Sequence, residues 1–486
     1  MSTISRKKST GYKKGGLISL FLLVVAIAPA QAQTITWKKV WSTQGGGAPN
    51  NFFNGYHDIH YDPFTGKTWL WSTSSAGGPE SIYSTRWHYF DSTAAVDTLF
   101  VDGGQSASWA CKSNSESLPG TRHPVGQIWL DTQRNRIWLM QGVCLGNIQP
   151  DMYYLQLSNP PSPTGFKQVF PAHLPVRFNQ AGPKTMLTAP IISPGQSTIN
   201  VLSGSAIKNG MYLQILSERM LVVSGGLTPT LTVLRGQLNT TPLKTIRSNT
   251  VVDTVSGMFN NASIVHDSDD DAFFLLGTDG GDNSHSMQVY CDTSLNRGVL
   301  TASQKQVGCS LPDDWNDLTA AMLANGPLPT GLYYPNLEYD AVHHVLIQSM
   351  GLAGCCTPEN QTWTYKPRAA AKKWTNANPL NPPVNSSSNN EGGRVAHAMV
   401  NGKYYYHLTA HTPSYGTPPA KPPEDWVYDP GKNTWTRLSA GQGPELTESM
   451  TYDKTHNRLI AWATKVDSDG LYRATGIAEI WEGEIH

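Results

Sequence analysis

Three side chains in this 486-residue sequence could pass protons at a shared site: His57, His123 and Tyr334. An imidazole titrates near neutral pH and serves as base or acid, and a tyrosine can return the proton to a substrate from the other side. Arg122 and Arg394 could neutralise a uronate carboxylate, the charge that a polysaccharide lyase or sugar epimerase step must stabilise. Asn261, Asn336, Glu391, His411 and Glu448 offer donors and acceptors for sugar hydroxyls, with Tyr56 and Asp58 beside His57 and Asp279, Asp282 and His285 on a loop joining second to third strands. The same set would also suit a binding site without turnover. Hydrolase elbows (GxSxG), zincin (HExxH), dinucleotide (GxGxxG) and P-loop signatures are missing from the sequence, so those chemistries have no support.

These residues are spread from His57 to Glu448, so only long-range folding can gather them. One unit recurs: a strand, a tight turn opened by Asp, and a second strand. It reads His60-Tyr61-Asp62 to Trp69-Leu70-Trp71, Trp129-Leu130-Asp131 to Ile137-Trp138-Leu139, and Val265-His266-Asp267 to Phe273-Phe274-Leu275. It returns as Glu338-Tyr339-Asp340 to Val345-Leu346-Ile347 and Thr451-Tyr452-Asp453 to Leu459-Ile460-Ala461. A sixth copy, Ala396 to Tyr405, has Asn401-Gly402 at the turn, a strong two-residue hairpin signal. Third strands carry aromatic plugs such as Trp363-Thr364-Tyr365 and Trp426-Val427-Tyr428-Asp429, and fourth strands bring Trp374 and Trp435. The periodic Trp residues therefore read as core.

Four strands per repeat make one propeller blade. The last repeat ends at its third strand, while Thr34 to Trp41 reads as an orphan fourth strand, so the two ends are expected to pair and close a ring. The spacing between turn positions is 69, 136, 73, 61 and 52 residues. The long interval predicts a small β domain inserted at 173–250, between propeller segments 33–172 and 251–486. Its strands are Gly210 to Ile215, Glu218 to Val223 and Thr230 to Gln237.

The repeats resemble the kelch family of β-propellers, with Tyr-Asp after the first strand, Gly277 to Gly281 after the second, and Trp-x-Tyr-Asp in the third. The resemblance implies an all-β, six-bladed kelch-like propeller, with seven blades as the alternative, whose ligands gather at one end of the channel lined by first strands. Such propellers act as enzymes, sugar binders or scaffolds. In the insert, the strings Tyr-Leu-Gln-Ile, Glu-Arg-Met-Leu-Val and Leu-Arg-Gly-Gln-Leu-Asn resemble a small β module of phage tail and bacterial surface proteins. The leading expectation is a binding module for carbohydrate or a cell-surface protein, with the insert as a second contact site or a surface for self-association. A carbohydrate-active enzyme is the alternative.

Composition fits this reading: 15% charged, 10% aromatic and 44 Gly disfavour coiled coils, helix bundles and disordered chains. The net charge of zero includes five basic residues within 1–32; without them 31 basic face 36 acidic residues, a net −5 that makes nucleic acid a poor partner. Basic residues, the apolar run Leu17 to Ala28 and Ala30-Gln31-Ala32 form a secretory leader, predicting cleavage near Ala32, no membrane span in the mature chain, and a periplasmic, extracellular or surface location. In that compartment the six cysteines read as disulfides, with Cys111–Cys144 and Cys291–Cys309 favoured by local order. Adjacent Cys355 and Cys356 form a vicinal bridge, pair elsewhere or stay as thiols.

No cofactor or metal is expected. Asp267-Ser268-Asp269-Asp270-Asp271 lacks the Gly and distal Glu of an EF-hand loop and reads as a turn, as does His343-His344. His397, His407 and His411 invite comparison with the copper site of galactose-oxidase-like propellers, two His and two Tyr with one Tyr cross-linked to Cys. Tyr290-Cys291 is the only near match.

Overall fold

A computed structural model describes residues 33–42, 56–74, 83–106, 128–140, 143–144, 147–148, 152–162, 165–169, 171, 181–205, 207, 209, 211–236, 241–255, 261–278, 285–330, 336–353, 357–384, 396–408, 422–440, 443–466 and 474–486. The expected leader lies outside them.

Each Asp turn is built the same way. The carboxylates of Asp62, Asp131, Asp267, Asp340 and Asp453 are fully buried and accept the backbone N–H groups two and three residues ahead. An aspartate that replaces backbone partners in this way fixes a reversal where the main chain alone would leave donors unmatched. At the sixth turn, Asn401 and Gly402 have φ of 47° and 77°, the left-handed pair that a two-residue hairpin requires.

The hairpins grow into six four-stranded antiparallel sheets among the described residues. In strand order the first is Tyr56–Asp62, Lys67–Ser74, Tyr83–Asp91 and Val96–Ser106. The second is Ile128–Asp131, Arg136–Met140, Met152–Gln156 and Phe166–Val169, and the third is Asn261–Asp267, Ala272–Thr278, His285–Tyr290 and Trp315–Asp317. The fourth is Leu337–Asp340, Val345–Ser349, Thr362–Tyr365 and Trp374–Asn376, and the fifth is Ala396–Val400, Lys403–Leu408, Glu424–Asp429 and Thr434–Ala440. The sixth is Leu446–Asp453, Arg458–Val466, Ala474–Ile485 and, from the other end of the chain, Ile35–Ser42.

That last pairing is the one expected from the orphan strand: Ile35 sits opposite Ile485 and Trp37 opposite Gly483. The first strands of the six sheets touch in a closed cycle, sheet one to two and onward to six and back to one. The fold is thus all-β and propeller-like, with the first strands innermost. Apolar side chains fill the seams between neighbouring sheets, and Trp69, Trp71, Trp129, Trp138, Trp315 and Trp435 are about 1% exposed, so these tryptophans are core, while Trp426 and Trp481 are partly buried.

Between the second and third sheets, a six-stranded sheet runs Ala181–Met186, Val251–Val255, Tyr212–Ile215, Glu218–Ser224, Thr230–Leu234 and Thr198–Asn200. A bridge between Leu187 and Val201 joins its two edges, so it closes into a small barrel around Leu187, Ile199, Leu213, Met220, Leu231, Val233 and Val252. Strand Val251–Val255 pairs inside this barrel, five residues past the boundary expected at 250. Glu218 and Arg235, from two of the strings that carry the phage-tail resemblance, form a buried ion pair that also holds the N–H groups of Gly236 and Leu243. The barrel seats Tyr212 and Leu221 against Met140, Met152 and Ala262 of the second and third sheets.

The expected Cys291–Cys309 bridge is present and pins helix Ala302–Val307 beside the third sheet. Cys144 lies on strand Val143–Cys144, its sulfur outside the described set, as are Cys111, Cys355 and Cys356. No helix among the described residues is long and apolar enough to cross a membrane.

Candidate functional site at the ring axis

Innermost strands must alternate between packing and polar positions, and the polar ones converge where six strands meet. On Tyr56–Asp62, Ile59 and Tyr61 pack against the sixth sheet, while Asp58 and His60 take the alternate positions. Three sheets round the cycle, on the opposite side, Glu338 stands between Leu337 and Tyr339, which pack toward the third sheet. His397 alternates with Ala396 and Ala398 on the neighbouring fifth sheet. The four polar side chains are 18% to 24% exposed, reachable by solvent yet held by walls.

Their hydrogen bonds fix which nitrogens are free. His60 Nε2 lies 3.0 Å from the Ile128 carbonyl oxygen and 3.4 Å from Asp58 Oδ1, so it carries the hydrogen and leaves Nδ1 to exchange protons. His397 Nδ1 donates to Glu338 Oε1 at 2.9 Å, leaving Nε2, and the ring stacks on Tyr404 at 5.6 Å. Burial alone would lower the His60 value. The Asp58 carboxylate and its hydrogen bond, the Glu338 carboxylate acting across the axis and the Ile128 carbonyl outweigh it, and the net shift is upward. Glu338 therefore bears on both imidazoles. Such a constellation can donate to and accept from hydroxyls in pairs, or deliver and remove a proton.

Of the sequence-predicted residues, His57 and Asn261 lie on first strands, opposite Ser72 and Thr278, and Glu448 is the extra residue of a bulge between Thr447 and Ser449. The side chains of those three, and all of His123, Tyr334, Arg122, Glu391, Arg394 and His411, fall outside the described residues. Asn336 is buried, and its amide donates to the Ser349 carbonyl at 3.1 Å, a brace within the fourth sheet. His60 and Glu338 were missed by sequence reading, although both stand two residues before a turn aspartate and counting back from Asp62 and Asp340 finds them.

Two metal-like groupings resolve otherwise. Asp131, His266 and Asp271 present ligand atoms within 4.8 Å of one another, but the Arg134 guanidinium donates to Asp131 Oδ2 at 3.2 Å and Asp271 Oδ1 at 2.7 Å and takes the cation's place. Cys291 is committed to its disulfide, so it cannot cross-link to a tyrosine. His407 is buried between Asp425 Oδ1 at 2.7 Å and the Pro444 carbonyl at 2.9 Å.

The chain matches no protein-family model and no curated protein. Among solved structures it is similar to a fungal alcohol oxidase of the AA5 family in complex with copper, at 10% identity and a TM-score of 0.44 over 92% of this chain and 75% of that one. It is also similar to YjhT, at 8% identity and a TM-score of 0.40 over 90% of this chain and 98% of that one.

Proposed function

We propose that the chain is an exported, six-bladed kelch-like propeller that binds a neutral, hydroxyl-rich saccharide at its axis, with the inserted barrel as a second contact surface. The observation that carries this reading is the chain of partly exposed, hydrogen-bonding groups His60, Glu338 and His397, drawn from three sheets to one axis. A neutral ligand is favoured because the six innermost strands contain no Lys or Arg, so a uronate would meet Asp58 and Glu338 without a fixed cation on those strands. With Trp69, Trp129, Trp138 and Trp435 committed to the core, selectivity rests on polar contacts. The extracellular setting agrees with the Cys291–Cys309 bridge.

A second reading, proton-transfer catalysis on a sugar, is favoured by one detail: His60 has one nitrogen fixed by Ile128 and the other free. Titration calorimetry with a panel of neutral and uronate oligosaccharides tests the proposal. His60→Gln and Glu338→Gln should each weaken a neutral ligand by about 10- to 100-fold, the loss of one charge-assisted hydrogen bond. Absence of binding across the panel, or unchanged affinity in both variants, refutes it. Turnover that both variants abolish selects the enzyme reading.

A further inference from the structure

The five Asp turns share one arrangement with a single exception. In four of them the carboxylate Oδ2 is met by a side chain from just beyond the turn: the Thr65 hydroxyl on Asp62, where Oδ2 also takes the Thr65 N–H, Arg134 on Asp131, His343 on Asp340, and His456 with Arg458 on Asp453. The third turn places Asp270 there instead. Asp270 turns to the Arg368 guanidinium, on the loop between the third and fourth strands of the fourth sheet, at 2.7 Å and 2.9 Å, and Asp267 Oδ2 is left fully buried with no hydrogen-bond partner among the described residues.

The neighbouring groups show what satisfies it. Tyr339 of the fourth sheet has one hydroxyl hydrogen and donates it to Asp269 Oδ2 at 2.5 Å, where His344 Nδ1 also sits at 2.8 Å. Asp267 lies within reach of the same hydroxyl. One hydrogen cannot serve two carboxylates. If Asp267 carries its own, it can donate to the Tyr339 oxygen, and acid, phenol and carboxylate form an unbroken series across the seam.

We propose that Asp267 holds a proton in the folded protein and that this proton locks the seam between the third and fourth sheets, which loosens when Asp267 ionises. The inference is independent of the axis ligand. The groups facing Asp267 are Asp269 and Asp270 of its own turn, Tyr339 and His344 of the adjoining hairpin, and Arg368, with Lys372 acting on Asp270 from the same loop. Burial first, and the Asp270 carboxylate second, push Asp267 up to about 7. A carboxyl group raised in the folded state favours that state fully below its unfolded value and loses the advantage as pH climbs through the folded one, so the window runs from about 4 to about 7.

Hydrogen–deuterium exchange of Leu337–Asp340 and Thr362–Tyr365, corrected for intrinsic rates, is the test. Seam opening should become about thirtyfold more frequent between pH of about 5.5 and about 8. Asp267→Asn, which carries the hydrogen permanently, should abolish that change and keep wild-type protection at the lower pH. Asp270→Asn should move the change to lower pH. Equal wild-type protection at both values overturns the proposal, and so does pH dependence that survives in Asp267→Asn. Protection restored at the higher pH by calcium chloride alone also overturns it, because a cation would then be the missing partner.

Discussion

Trp37 is the side chain through which the beginning of the chain holds the ring shut. It is 8% exposed, packs beside Ala396, Ala398 and Met450, and its Nε1 donates to Asp425 Oδ2 at 2.9 Å. The other oxygen of Asp425 takes His407 Nδ1 at 2.7 Å, and the His407 ring meets the indole edge-on at 5.3 Å. Gly443 and Gly483 leave room for it: a Cβ on Gly443 would stand 2.7 Å from Trp37 Cδ1. Trp37→Phe keeps a ring in this space but withdraws the indole donor from a buried carboxylate, a loss of about 1–3 kcal/mol. Trp37→Ala also removes the buried ring and should cost about 3–5 kcal/mol. Urea unfolding, read at unchanged slope, measures both. A cost below about 1 kcal/mol for Trp37→Ala would mean that Ile35–Ser42 is an ornament on the sixth sheet, and the argument for closure would fail.

In the barrel, Glu218→Gln breaks a fully buried pair with Arg235 and should destabilise by about 3–5 kcal/mol, while Glu218→Gln combined with Arg235→Met should recover much of that; thermal unfolding of the three proteins distinguishes them. Cys291 and Cys309 are 18 residues apart, so replacing both by Ser should lower stability by about 3 kcal/mol in urea, and no change on replacement would show the link to be idle.

Much of the ring was legible because its signals are local. An Asp two residues after an inward strand position, with N–H groups ahead to receive, is a turn whose chemistry is complete within four residues, and Asn401-Gly402 is the same statement in backbone terms. The pairing of Ile35–Ser42 with Ala474–Ile485 followed from counting strands, and Cys291–Cys309 from proximity in sequence. What stayed hidden depends on contacts between distant repeats. His60 and Glu338 are 278 positions apart, and only closure puts them on one axis. Asn336 comes just before Leu337–Asp340, where an entry-loop residue suggested a ligand contact, and nothing in the sequence signals that its amide donates to the Ser349 carbonyl. Closure of the barrel through Leu187 and Val201 is a single bridge that no periodicity reports. The unequal Asp267 turn becomes visible only beside its four counterparts.

The most direct test of an axis built by a closed ring is the titration of the His60 imidazole, followed by nuclear magnetic resonance in the wild type and in Glu338→Gln. The wild-type midpoint should lie above the ordinary histidine value, because Asp58 and Glu338 together outweigh burial, and it should fall when the Glu338 charge is removed from the opposite sheet. A midpoint indifferent to Glu338→Gln would place the two residues too far apart to share an axis and would contradict the account.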